Sequence, residues 1–327
     1  MFLDTAPVTG PSITGVTDAR IVTGGAEVLA DAARIVRDAH HDVNIALFRT
    51  THAPIFDALS AVARRGVHVE MLVDDREVAR TPVPPWLASH AVLHGYGPAP
   101  GKQHSKAISI DGGHRVLVAT DVSDHDALGR MEFAAELHGE DAAVVEKLLV
   151  ATMRGDSAAQ LDALAGAASR GVYANDPTLG WFGLTDTIES LLASARTRLD
   201  VATKVLIDAR TGAALIAAAQ RGVATRVLAH EGDPKILAAL RDAGVHVSLV
   251  PYETADAARL TMHGTAIRSD ERALFTTAYF DPRVLHGSTD RRSRELGMVL
   301  DGSAARQLDA AIDHVFAGGA TASSATA

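Results

Sequence analysis

A repeated pattern constrains this chain more than any other feature of it. His104, Asp111 and Glu136 recur as His263, Asp270 and Glu295, each 159 positions further on. Three polar residue types returning in one order at one spacing imply an internal duplication, and duplicated units commonly face each other about a twofold axis. A second match lies at a different offset: Arg65-Gly66-Val67 returns as Arg221-Gly222-Val223, 156 positions later. Its glycine suits a helix C-cap, where left-handed backbone costs least. By itself that triplet says little, because many α/β units end a helix this way.

The hydrophobic periodicity gives each copy the same elements. Helical patterns over 26–40 and 55–65 alternate with short apolar, β-branched strands over 43–48 and 67–73. The order then returns as helix 187–198, strand 199–206, helix 211–220 and strand 223–229. Such alternation predicts an α/β fold with a largely buried sheet. The length, 327 residues, suits two domains of ordinary size. The expected division is a first domain over 1–155, a linker over 156–180, a second domain over 181–316 and a disordered tail over 317–327. An alanine-rich helix is expected over 155–169. Asn175-Asp176-Pro177 marks the linker, and the tail is built from Ala, Gly, Ser and Thr with nothing to bury.

Composition narrows the function. There are no cysteines, so disulfides, thiolate zinc sites and cysteine nucleophiles are excluded. The net charge of −9 and an aromatic content of 4% count against a broad basic face or a stacking platform for nucleic acid. A nucleic-acid partner is therefore not expected, though a local basic cleft could still hide in an acidic chain. No apolar run approaches the ~18 residues of a membrane span, and the first residues lack a signal-peptide pattern. The expected location is the cytoplasm.

The chemistry concentrates in Gln103-His104-Ser105-Lys106-Ala107-Ile108-Ser109-Ile110-Asp111. Residues two apart on a strand share a face, so His104 and Lys106 present an imidazole and a fixed cation together. That pair suits a phosphate, with a nucleophile beside an electrostatic clamp. The second copy keeps His263 and Asp270 but carries Thr265 at the lysine position. If the halves face each other, the two imidazoles could flank one phosphorus, one attacking and the other protonating the leaving oxygen. Glu136 and Glu295, each 32 residues after its histidine, could then accept the other ring N–H and fix its tautomer. No metal or cofactor is called for. Asp121-Val122-Ser123-Asp124-His125-Asp126 matches no calcium loop. Gly95-Tyr96-Gly97-Pro98-Ala99-Pro100-Gly101 leads into a strand and reads as a loop at the cleft mouth.

These residues resemble the phospholipase D superfamily, whose signature His-x-Lys-x-x-x-x-Asp is usually present twice. The first copy fits in full. After the second, Thr276-Thr277-Ala278-Tyr279-Phe280-Asp281-Pro282-Arg283 and Arg294-Glu295-Leu296-Gly297-Met298-Val299 look like the cardiolipin synthase branch. The resemblance spans roughly residues 24 to 315. It implies two α/β/α sandwich repeats with mixed sheets, related by a pseudo-twofold axis, and an active site at their junction that needs no second chain. It further implies metal-independent phosphodiester chemistry through a phosphohistidine. His104 would be the nucleophile, His263 the general acid and base, and Lys106 the phosphate clamp. Glu136 and Glu295 would orient the histidines, Thr120 and Thr277 would bind substrate, and Asp111 and Asp270 would be mainly architectural.

The sequence departs from the family pattern at Thr265, Asp121 and Tyr279. Asp121 would add negative charge near an anion site. Lys204 could approach the cleft as a replacement cation, and Arg268 points to the opposite strand face. A solvated surface charge is the simpler reading of both. The expected activity is a phosphodiesterase or phosphatidyl-type transferase acting on a small phosphodiester or a phospholipid head group. The alternatives are a degenerate relative that binds a phosphorylated ligand or partner, and a nuclease.

Overall fold

The computed structural model describes residues 13–96, 101–250, 261–287 and 292–324. The loop expected at the cleft mouth falls largely on residues 97–100, outside the described residues. Sixteen strands are described. The first half holds β1 (Arg20–Thr23), β2 (Asp42–Ala46), β3 (His68–Asp74), β4 (Val92–Tyr96), β5 (Gly101–Gln103), β6 (Ala107–Ile110), β7 (Arg115–Ala119) and β8 (Phe133–His138). The second holds β9 (Val172–Asp176), β10 (Trp181–Phe182), β11 (Arg198–Leu206), β12 (Ala224–Gly232), β13 (His246–Leu249), β14 (Thr265–Ser269), β15 (Arg272–Thr276) and β16 (Arg292–Leu300).

The duplication is complete at the level of topology. One sheet runs β1-β8-β7-β6-β2-β3-β4, and the other β9-β16-β15-β14-β11-β12-β13 with β10 added at its edge. In each, the last three strands are parallel and the rest antiparallel. These are mixed α/β sheets in a pseudo-symmetric pair, as the duplication predicts.

Helices cover both faces of each sheet. Gly25–Arg37 and Ala53–Arg64 pack Val28, Ile35, Ile55 and Leu59 on the outer face of the first. Gly183–Ser194, Ala209–Gln220 and Pro234–Asp242 cover the second with Leu191, Leu215 and Leu240. The two inner faces share one core, filled by helices Gly139–Arg154, Ser157–Ala168 and Gly302–Ser324 through Leu148, Leu164 and Leu308. Burying both faces of both sheets explains why their strands read as continuous apolar runs. Among the described residues, no helix is long and apolar enough to cross a membrane.

The repeated Arg-Gly-Val has a physical cause. Gly66 and Gly222 take φ of 88° and 86°, and each following valine N–H returns to a carbonyl of the preceding helix (Val67 to Val62, Val223 to Ala218). This is the left-handed helix ending that glycine permits. The arginine beside it binds carbonyls at the end of another helix: Arg65 those of Arg37 and Ala39, Arg221 those of Ala193 and Ala195.

Two expected boundaries are corrected. Residues 171–180, read as linker because of Asn175-Asp176-Pro177, contain the buried strand β9, which pairs with β16 as β1 pairs with β8. The turn signal was real, but it closes a hairpin with β10 rather than a tether. The tail expected to be disordered instead extends the last helix to Ser324, since alanine is a strong helix former.

Candidate active site

Each histidine sits at the point where one half reaches into the other. β5, immediately before His104, leaves its own sheet and pairs in parallel with β16, setting Gln103 against Arg294. The His104 N–H then bonds the Arg294 carbonyl at 3.1 Å. The second half mirrors this with a bridge between Met131 and Met262, one residue before His263. The anchors behind these loops also correspond. Asp74 accepts the Gln103 N–H at 3.0 Å, and His230 accepts the Met262 N–H at 2.8 Å through Nε2. Asp74 and His230 hold equivalent places on β3 and β12, yet differ in residue type. Matching identical residues between the copies therefore could not find them.

The exchange brings the rings together. The imidazoles of His104 and His263 lie 6.5 Å apart, centroid to centroid. Phe48 stands edge-on to His104 at 4.9 Å, and Tyr279 packs 5.7 Å from His104 and 6.2 Å from His263. His104 donates from Nδ1 to Glu295 at 2.9 Å. Nδ1 of His263 lies 3.0 Å from Glu132 and 3.4 Å from Asp121. So each histidine meets a carboxylate of the opposite half, and the remaining nitrogen of each ring is Nε2.

Glu136 is a correction. It is held by Arg20, Arg34 and Arg115 and contacts neither His104 nor His263. The strand pairing shows why the fixed spacing misled. Ala119 opposes Ala134 and Thr276 opposes Gly297, which makes Glu132 the counterpart of Glu295. The connections between these strands differ in length, so a constant offset selects the wrong glutamate. The usable signal was a Glu directly before an apolar residue run, Glu132-Phe133 and Glu295-Leu296.

Thr120 and Thr277, expected to bind substrate, are buried, and their hydroxyls meet the two carboxylates. Thr120 donates to Glu132 and Thr277 to Glu295, each at 2.5 Å. Gly264 follows His263 where a Cβ would stand 2.5 Å from the Thr120 methyl, so the two halves meet there without room for a side chain.

Lys106 is fully buried, and its ammonium has no hydrogen-bond partner among the described residues. Its Nζ lies 5.5 Å from the centre of the Phe48 ring. Thr265 offers no comparable donor to the cleft, because its hydroxyl is engaged with Thr203 and the Ala278 carbonyl. Arg268 binds Asp200 and Asp313 away from the cleft. Lys204 is not a solvated surface charge: half-buried, it lines a cleft of about 270 Å³ with His104, Lys102 and Tyr279.

Asp111 and Asp270 are both in the left-handed region, at φ of 52° and 53°. Asp111 accepts the His40 and His41 N–H groups, and Asp270 those of Arg196, Thr197 and Arg198. Each ties the end of a central hairpin to the start of the neighbouring strand. Partial burial works to raise Asp270, but the Thr197 hydroxyl and then these backbone donors hold it low, at about 2. Asp270→Ala is expected to lower stability by about 2 kcal/mol, from lost charge-assisted bonds and a strained φ, with unchanged ligand affinity in the cleft. Thermal melting alongside a tungstate titration reads both.

Burial dominates the electrostatics. It pushes His104 down to about 4 despite Glu295, and Lys106 adds to the depression. His263 falls to about 3 for the same main reason, opposed by Asp121. Burial likewise lifts Glu132 to about 7, while the His104 and Lys106 charges overcome it at Glu295 and hold that carboxyl near 2. Asp121 lies on the Nδ1 side of His263, so its charge serves the imidazole rather than opposing an anion at Nε2. Asp121, Glu132 and His263 each bring one ligand atom within 4.8 Å of the others, a spacing a divalent ion could also use.

No protein-family model and no curated protein matches the chain. Solved structures do. A phosphatidylserine synthase from Haemophilus influenzae aligns over 94% of this chain and 87% of its own, with a TM-score of 0.68 and 14% identity. A polyphosphate kinase from Porphyromonas gingivalis covers 90% of this chain, with a TM-score of 0.61 and 13% identity, but only 46% of its own length is matched. The yeast tyrosyl-DNA phosphodiesterase aligns over 87% of this chain and 89% of its own, with a TM-score of 0.58 and 10% identity.

Proposed function

The chain has the fold of the phospholipase D superfamily, and on that premise we propose that it transfers or hydrolyses a phosphodiester through a phosphohistidine. One observation carries the reading: two buried imidazoles, one from each half, 6.5 Å apart, each backed by a carboxylate of the other half. That spacing suits one phosphorus between two Nε2 atoms. Two solved proteins of the same fold are named as a phosphatidylserine synthase and a tyrosyl-DNA phosphodiesterase, which supports chemistry at phosphorus.

In this mechanism Nε2 of His104 attacks phosphorus and the bond to the leaving oxygen breaks. Protonated His263 donates its Nε2 proton to that oxygen. Lys106 neutralises a non-bridging oxygen, a charge-assisted contact made in a dry site where it is strongest. His263, now neutral, takes a proton from water or an alcohol as that oxygen attacks the phosphohistidine, and the N–P bond breaks. Glu295 keeps the His104 proton on Nδ1, leaving Nε2 as the nucleophile. Burial lifts Glu132 to about 7, so Glu132 and His263, 3.0 Å apart, hold a proton between them at neutral pH and act as the proton-carrying pair.

The first assay is release of nitrophenol from bis(p-nitrophenyl) phosphate with EDTA present. Turnover that survives chelation supports the metal-free route, and turnover that EDTA removes would assign Asp121, Glu132 and His263 to a metal. Short DNA and RNA strands in the same assay test the nuclease alternative. On a diester whose leaving alcohol needs a proton, activity is expected to rise with pH through about 4, where His104 loses its proton, and to fall above about 7, where the Glu132–His263 pair loses its own. The profile of kcat/KM should lose its alkaline limb near 7 in Glu132→Gln. A wild-type optimum above pH 9 would contradict the assignment.

A further inference from the structure

We propose that Lys204 supplies the phosphate-binding cation that Thr265 lacks, moved to the adjacent strand of the second half. The proposal deepens the diesterase reading and rests on it for the identity of the ligand.

Strand pairing fixes the geometry. Ala46 opposes Ala107 and Ala202 opposes Ala266. Two residues on, Phe48 just beyond β2 and Lys204 within β11 therefore occupy corresponding places. They are 156 positions apart, the offset of the repeated Arg-Gly-Val. In the first half this place lies against the histidine and its lysine: Phe48 stands edge-on to His104 and beneath Lys106. In the second half the lysine stands on the other strand. The aromatic place holds Lys204, and the lysine place holds Thr265, whose partner across the ladder is Thr203, the neighbour of Lys204.

The position of the ammonium fits the role. Nζ of Lys204 lies 5.7 Å from the centre of the Tyr279 ring, and that ring packs against both imidazoles. Lys204 lines the same cleft as His104 and Lys102. Its charge is felt at His263, and it in turn feels Arg49, Arg130 and Glu132 of the first half and Glu231 of its own. A lysine within β11 thus joins Lys106 in placing cations from both halves around one anion site. The duplicated motif has lost a residue, while the site keeps one lysine from each half.

The test measures anion binding and turnover separately. Tungstate affinity is read by titration calorimetry, and bis(p-nitrophenyl) phosphate hydrolysis by nitrophenol release, for wild type, Lys204→Met, Lys204→Gln and Lys204→Arg. The uncharged variants are expected to bind tungstate at least tenfold more weakly and to lose about 10²-fold in kcat/KM, with Lys204→Arg retaining most tungstate affinity. Adding Thr265→Lys to Lys204→Met should recover at least tenfold, which a purely structural role for Lys204 would not produce. Two uncharged variants guard against a folding defect in either. If both bind tungstate and turn over within twofold of wild type, the proposal is overturned and the diesterase reading stands. If wild type hydrolyses nothing while the uncharged variants still lose tungstate, the diesterase reading fails and the anion role of Lys204 stands. If wild type binds no tungstate, Lys204 has no such role.

Discussion

Replacing His104 by alanine is expected to lower phosphodiester turnover by about 10⁶-fold, the scale seen when a nucleophile is removed from a preorganised site. Its ring is buried between Phe48, Tyr279 and the Glu295 carboxylate, and among the described residues lining the cleft it is the one histidine. His263→Ala should behave differently with a nitrophenyl leaving group. Nitrophenolate departs without a proton, so the first step survives and the second, which needs a base, does not. The expected result is one equivalent of nitrophenol released as a burst, with a nitrophenyl phosphoryl group left on His104. Mass spectrometry of the quenched protein detects that adduct. Turnover of His104→Ala within tenfold of wild type, with the melting temperature preserved, would sink the two-histidine mechanism.

The second large effect separates the two glutamates that the spacing confused. Glu295→Gln and Glu132→Gln are each expected to reduce kcat by about 10⁴-fold, because an amide in place of the carboxylate releases the ring to the wrong tautomer. Glu136→Gln should leave kcat unchanged, since Glu136 is engaged by Arg20, Arg34, Arg115 and His138 rather than by either cleft histidine, and should lower thermal stability instead. Steady-state kinetics and a melting curve on the three variants suffice. A loss of kcat in Glu136→Gln matching that in Glu132→Gln would contradict the pairing across the halves. The same pairing predicts that neither half is active alone, because each dyad takes its histidine from one half and its carboxylate from the other.

Much of this was legible in the residues. The duplication, the alternating elements and the candidacy of His104, Lys106 and His263 follow from local pattern, and the architectural aspartates from the family resemblance. An amphipathic helix, a buried strand and a glycine C-cap each depend on a few neighbouring residues, so sequence alone determines them. The assignment of carboxylates to histidines, the use of Thr120 and Thr277, the membership of β9 in the second sheet and the place of Lys204 were decided only by tertiary structure. Each depends on which strands pair across long and unequal connections. A one-residue change in register reverses the face a side chain occupies, and β5 pairs outside its own repeat. Spacing within a sequence measures chain length, whereas the contact of His104 with Glu295 was fixed by a hydrogen-bond ladder between segments more than a hundred residues apart.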